Sequence, residues 1–172
     1  SLLPNYPAYY PFYDELIFTA KASDNIKLIT KFISENKSTN NFSEYLSALI
    51  NYHKNKYSDA VQTLKNKKEF EELYLLSYSY RGLGDYDNAL QILDKSESLI
   101  SIDNNLISKV FVSKGSLYLL SGKYDEAEKY YKKGLESAKR FGDRREEIKA
   151  LINFAILDDQ NGSVDDAKQK LE

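Results

Sequence analysis

Catalysis needs a nucleophile, a base or a metal held at a fixed spacing, and these 172 residues offer few candidates. His53, beside Tyr52, is the one histidine and there is no cysteine. No nucleophile–base pair or metal cluster of the usual kinds can therefore be assembled. Gly82-Leu83-Gly84 opens like a dinucleotide loop but lacks the third glycine and a preceding strand. Asp159-Gln160-Asn161-Gly162 starts like a calcium loop, yet its glycine comes two positions early and the closing glutamate is missing. Asp158 and Asp159 are adjacent, so a helix would point them to different sides. Lys139, Arg140, Arg144 and Arg145 could grip a phosphate, but Glu146 and Glu147 beside them favour ordinary charges at helix ends. The expectation is a chain that is not an enzyme and holds no cofactor and no metal. What remains is binding chemistry: Glu71, Tyr74, Tyr78 and Arg81 recur at three, four and three, one stripe of a helix. Tyrosine and arginine are the side chains most often found as interface anchors.

Composition narrows the partner. Lysine plus arginine (24) nearly balances aspartate plus glutamate (26), for a net charge of −2. That gives no support for a nucleic-acid or anionic-membrane footprint, which needs a clustered basic excess. Lysines outnumber acids over the first 68 residues and acids lead afterwards, a mild polarity of a solvated surface. No stretch approaches the ~20 apolar residues of a membrane span, so no direct membrane contact is expected. The missing cysteines fit a reducing compartment, and a cytoplasmic location is the expectation. A chain that opens on Ser1, has no methionine and ends shortly after Ala167 reads as a piece of a longer protein.

The elements that must hold the tyrosine stripe are helices. Prolines occur only at Pro4, Pro7 and Pro11, and apolar residues afterwards recur at three and four, as in Leu73, Leu76 and Tyr80. An all-α fold follows. The unit around 69–98 divides into one helix from about Glu69 to Leu83 and another from Tyr86 to Ser98. Gly84 stands where the first must stop, in the left-handed conformation that glycine enters freely. Gly122 and Gly162 hold the same place later, and Asn55 holds it earliest. Asp59, Asp87, Asp125 and Asp165 open each second helix at the positive end of its dipole.

The turns belong to a repeat. Ala60, Ala89, Ala127 and Ala167 are 29, 38 and 40 residues apart, and each is preceded by twelve residues by a small one: Ala48, Ser77, Gly115 and Ala155. Small residues at both places let the paired helices approach closely, where larger ones would over-pack the contact. Spacings of this size signal a helical repeat array.

The pattern resembles the tetratricopeptide repeat. One unit reads Leu73-x-x-Leu76-Ser77-x-x-Tyr80-x-x-x-Gly84-x-Tyr86-x-x-Ala89-x-x-x-Leu93, and the next Phe111-x-x-Lys114-Gly115-x-x-Tyr118-x-x-x-Gly122-x-Tyr124-x-x-Ala127-x-x-x-Tyr131. Lys114 departs from the family's apolar residue, Asp158 and Asn51 from its aromatic. The resemblance implies a right-handed superhelical solenoid of antiparallel helix pairs, with four repeats at about 42–66, 69–98, 103–141 and 143–172, the last truncated. The later spacings belong to a longer-repeat subtype and predict helices longer by about a turn. Residues 12–36 read as one more, degenerate pair and residues 1–11 as an extended lead-in.

In the family the first helices of successive pairs line a concave groove. The resemblance therefore implies a non-catalytic scaffold that binds a peptide or helix of a partner protein. The groove residues would be Tyr45, Leu49, Tyr74, Tyr78, Arg81, Lys109, Val112, Ser116, Lys149 and Ile156, an aromatic-rich lining with basic groups that suits a partner of some acidic character. The Tyr74, Tyr78, Arg81 stripe is expected to face solvent. Alternative occupants are the segment 1–11 or a second copy of the chain, giving a homodimer. An alternative role is a peptide-responsive sensory or regulatory segment of a larger signalling or transcription-regulating protein.

Overall fold

The computed structural model describes residues 41–160 together with Lys31. The expected lead-in, the degenerate pair at 12–36 (Lys31 apart) and the second helix of the last repeat lie outside the described residues. Seven helices and no strand occur among residues 41–160: α1 (Asn41–His53), α2 (Tyr57–Leu64), α3 (Phe70–Gly82), α4 (Tyr86–Ser98), α5 (Leu106–Leu120), α6 (Tyr124–Phe141) and α7 (Arg144–Gln160). The later helices are longer, as the spacings predict: α5, α6 and α7 have 15, 18 and 17 residues against 13 in α3 and in α4.

The chain forms two compact units, divided between Asp85 and Tyr86. In the first, α2 packs on α1 and α3 packs on α2, with a smaller contact between α1 and α3. Ala48, Leu49, Ala60, Leu64 and Leu76 are buried there. In the second, α5 packs on α4, α6 on α5, α7 on α6, and α7 also touches α5. Its core gathers Ala127, Tyr131, Phe154 and Leu157. Contact with the sequence neighbour first and the next but one second is the order expected of stacked repeats.

One device ends α1, α3, α5 and α6. Asn55, Gly84, Gly122 and Gly142 have φ of 59°, 76°, 72° and 68°. In each case the amide just past that residue reaches back five residues, as Lys123 N–H to the Tyr118 carbonyl at 2.9 Å and Asp143 N–H to the Ala138 carbonyl at 2.8 Å. The residue's own amide reaches back three, as Gly122 N–H to the Leu119 carbonyl at 3.0 Å. These paired bonds satisfy carbonyls that the helix end would otherwise orphan. The predicted turns at Asn55, Gly84 and Gly122 are thus present; Gly162 lies outside the described residues.

The predicted close approach of small residues is present with a different neighbour. Ala60, Ala89 and Ala127 are wholly buried. The nearest atoms to a side chain built on Gly115, however, belong to the Tyr131 ring, one turn past Ala127. In the same way Gly134 of α6 backs onto Val112 of α5. At Gly115 and Gly134 the helices come close because a glycine faces a large side chain of the neighbouring helix.

Candidate functional site

The expected groove residues divide into core and surface. Tyr45, Leu49, Tyr74 and Val112 are 4%, 2%, 8% and 3% exposed, which corrects their assignment to an exposed lining. Tyr74 lies under its helical neighbours, its ring stacked on Phe70 at 5.9 Å and tilted against Tyr78 at 4.8 Å. Val112 is closed off by Gly134 of α6, whose missing side chain lets that helix come near. Tyr45 and Leu49 belong to a helix that also buries Leu46, Ala48 and Ile50, so more than one of its faces is covered. Tyr78, Arg81, Lys109, Ser116 and Lys149 are half-buried and Ile156 is exposed.

In the second unit the polar members are tied up locally. Ser116 Oγ donates to the Val112 carbonyl at 3.0 Å and accepts from Asn153 Nδ2 at 3.3 Å and the Tyr131 hydroxyl at 3.4 Å. Lys149 Nζ donates to Glu146 Oε1 at 2.6 Å, and that glutamate is buried. Exposed aliphatic surface follows on α7 at Ile148, Ile152 and Ile156, four residues apart and so on one face. Within the basic cluster Arg144 pairs with the flanking Glu147 at 2.9 Å, as the sequence suggests, whereas Arg140 pairs with the distant Asp103 at 2.5 Å. Buried Lys114 is held by Asp94 at 2.5 Å and by Glu97, with the Tyr130 ring 5.5 Å from its nitrogen. Burial opposes its charge, but the bonds from both carboxylates outweigh that and raise its pKa.

The first unit gathers its aromatics around a cation. Arg81 sits over the Tyr78 ring, 4.4 Å from its centroid. Tyr78 bonds Tyr74, hydroxyl to hydroxyl, at 2.9 Å and meets the Tyr52 ring edge-on at 6.3 Å. Tyr52 in turn packs against Tyr57 at 5.6 Å and His53 at 5.4 Å. Burial raises the Tyr52 pKa, against the pull of nearby Arg81, so the phenol keeps its proton at neutral pH. Helical spacing alone joins Tyr74, Tyr78 and Arg81. The addition of Tyr52 and Tyr57 from α1 and α2 comes from tertiary packing, for which the sequence carries no local signal. Among the described residues no group of three or more His, Cys, Asp or Glu could hold a metal, and no helix is long and apolar enough to cross a membrane.

Residues 73–102 and 108–141 match the profile of the tetratricopeptide-repeat family. Similar solved structures include a crystal structure of MamA, with TM-score 0.62, 17% identity and 88% of each chain covered. A Podosopora anserina putative kinesin light chain with nearly identical TPR-like repeats aligns with TM-score 0.69 and 11% identity over 98% of this chain and 94% of its own. A tetratricopeptide repeat protein from Parabacteroides merdae aligns with TM-score 0.63 and 17% identity over 95% of this chain and 64% of its own. At these identities the likeness is one of fold. No curated protein sequence matches the chain.

Proposed function

From the premise that this chain is a tetratricopeptide-repeat protein, its residues 73–141 carrying the family's pattern, we propose that it is a non-catalytic scaffold that binds a peptide or helix of a partner protein. The observation that carries this reading is the family match itself, which falls on α3 to α6 and on the turns built at Gly84 and Gly122. Repeats of this family are protein-interaction modules. The surface of each unit leaves room for that role. In the first unit the binding face is the half-exposed edge of α3 at Tyr78 and Arg81, backed by buried Tyr74. In the second it comprises Lys109 and Ser116 of α5 with Lys149, Ile152 and Ile156 of α7. Ring and guanidinium surface of this kind anchors interfaces because it buries much area for little lost side-chain freedom.

The test is affinity capture from native lysate, read by mass spectrometry, with wild type beside a Tyr78→Ala, Arg81→Glu variant of unchanged helicity and melting. A partner held by the wild type and lost by the variant supports the scaffold reading and assigns α3 to the interface. Capture of no specific protein by either chain overturns it.

A further inference from the structure

We propose that Arg81, seated on the Tyr78 ring and bordered by Tyr52, is a recognition site for a side-chain carboxylate of an acidic peptide. The proposal deepens the scaffold reading and rests on it. Its first support is contrast. Among the half-buried or buried cations, Lys67, Lys114 and Lys149 each have a carboxylate partner within their own unit. Arg81 has none among the described residues; it lies over the Tyr78 ring and donates a hydrogen bond to the Tyr52 hydroxyl instead. A half-buried guanidinium without a counter-ion is an unusual thing to keep, because a neutral phenol acceptor offsets less of its lost hydration than a carboxylate would.

Geometry supplies the second support. A guanidinium over an aromatic face is held by the ring quadrupole, and its N–H donors project outward from the cation. Stacking therefore limits the freedom that an arginine would otherwise lose on binding, which favours a two-pronged bond to a planar carboxylate. The neighbours add no competing acceptor charge. Tyr52, Tyr57, Tyr74 and Tyr78 are phenols, and burial keeps the Tyr52 phenol neutral. The Tyr78 face and the Tyr52 phenol beside the half-buried guanidinium also lower the local dielectric, so a salt bridge here is worth more than one in open solvent.

Charge count selects the ligand. The cluster of Tyr52, Tyr57, Tyr74, Tyr78 and Arg81 contains one cation, which matches a monoanionic aspartate or glutamate side chain. A phosphate dianion would leave about one negative charge uncompensated. The tyrosine faces beside the guanidinium offer apolar contact to the residues that flank the acid, so an extended acidic peptide suits the site.

Fluorescein-labelled hexaglutamate and hexaglutamine serve as probes, titrated by fluorescence polarisation at fixed ionic strength against the full chain. The expected result is that hexaglutamate binds at least tenfold tighter than hexaglutamine. Arg81→Gln, at unchanged melting temperature, should erase that difference. Arg81→Lys should recover only part of it, since an ammonium lacks the planar fork, and Lys132→Gln, at an exposed lysine paired with Glu128, should leave it within about twofold. Equal binding of the two peptides overturns the proposal, as does hexaglutamate binding that survives Arg81→Gln. Displacement of hexaglutamate by inorganic phosphate at lower concentration than by acetate also overturns it, in favour of a phosphate site. The two readings fail separately: a lysate partner lost with Tyr78→Ala but retained with Arg81→Gln keeps the scaffold and removes the carboxylate.

Discussion

Gly115 of α5 lies so close to Tyr131 of α6 that a methyl group added at the glycine would stand 2.5 Å from a ring carbon. Tyr131 has no escape, being wholly buried in the core it shares with Ala127, Phe154 and Leu157. Gly115→Ala sets a gain in helix propensity of about 1 kcal/mol against over-packing of about 1–3 kcal/mol. The clash should win, because the neighbour is a ring fixed on all sides. Urea denaturation should show a net loss, and Tyr131→Leu in the Gly115→Ala background should restore part of it. Gly82→Ala is the control. Its added methyl would meet the Tyr57 ring at 2.6 Å, but Tyr57 is only half-buried and can swing aside, so the cost should be smaller.

The left-handed turns make a second series. Around Gly122 there is open space within 4 Å of an added methyl, and its φ is 72°. Gly122→Ala should therefore cost about 1–2 kcal/mol through backbone conformation alone. Gly122→Asn should cost less, because asparagine tolerates this region better than alanine does. The reverse change at the first turn, Asn55→Gly, should be neutral or stabilising by a few tenths of a kcal/mol, less whatever the bond from the Tyr57 hydroxyl to Asn55 Oδ1 contributes. Thermal melts of the three variants check the order.

These turns were the part of the fold most open to sequence reasoning, because each depends on one residue's backbone preference. Asn55, Gly84 and Gly122 could be placed by register with the alanines, and Tyr86–Ser98 is a helix with the bounds its pattern predicts. Gly142 makes the same turn although no alanine register points to it. The surface was harder to read for a physical reason. Helical periodicity says which residues share a face but not how many neighbours cover it. In α3, Glu72 through Ser77 are buried without a break, so the stripe through Tyr74 goes inward while Tyr78 and Arg81, one and two turns on, reach the surface. Val112 is buried for a related cause: the glycine opposite it lies 22 residues away in sequence, at Gly134. Lys114 falls at an apolar position of the family pattern, and only the three-dimensional arrangement supplies Asp94 and Glu97 to receive it.

Glu72 should make stability depend on pH. It is 1% exposed, and while its carboxylate accepts the Glu69 N–H at 3.3 Å, Oε1 has no partner. Burial raises its pKa from the ordinary 4.5, against the helix-start hydrogen bond and the Lys67 charge. A carboxyl with a raised folded pKa stabilises the fold fully while protonated, below the unfolded value, and that contribution is lost as pH rises through the folded value. Glu72→Gln keeps an acceptor for Glu69 and has no charge to desolvate. It should match the wild type near pH 4 and exceed it at pH 7 by about 1–2 kcal/mol. Denaturation midpoints at several pH values check this; parallel curves for the two proteins would sink it.

Lys114 tests whether a buried ion pair holds α4 to α5 or only satisfies a charge already there. Its side chain is 3% exposed, whereas Asp94 is 68% and Glu97 35% exposed. The costs of removing one side or the other are therefore unequal. Lys114→Met keeps the apolar stem and leaves both carboxylates to water, so it should change stability by less than about 1 kcal/mol. Lys114→Ala also removes the stem and should cost about 2–3 kcal/mol. Replacing both acids, Asp94→Asn with Glu97→Gln, strands the ammonium in the interior and should cost more than Lys114→Met does. The raised lysine pKa adds a sign that urea titrations can read. Stabilisation from the charged form is complete below the ordinary value of 10.5 and falls away as pH climbs through the folded value. Lys114→Met should lack that alkaline loss. If the methionine variant instead falls as far as the alanine one at neutral pH, the charge pairing rather than the stem is what holds these helices together.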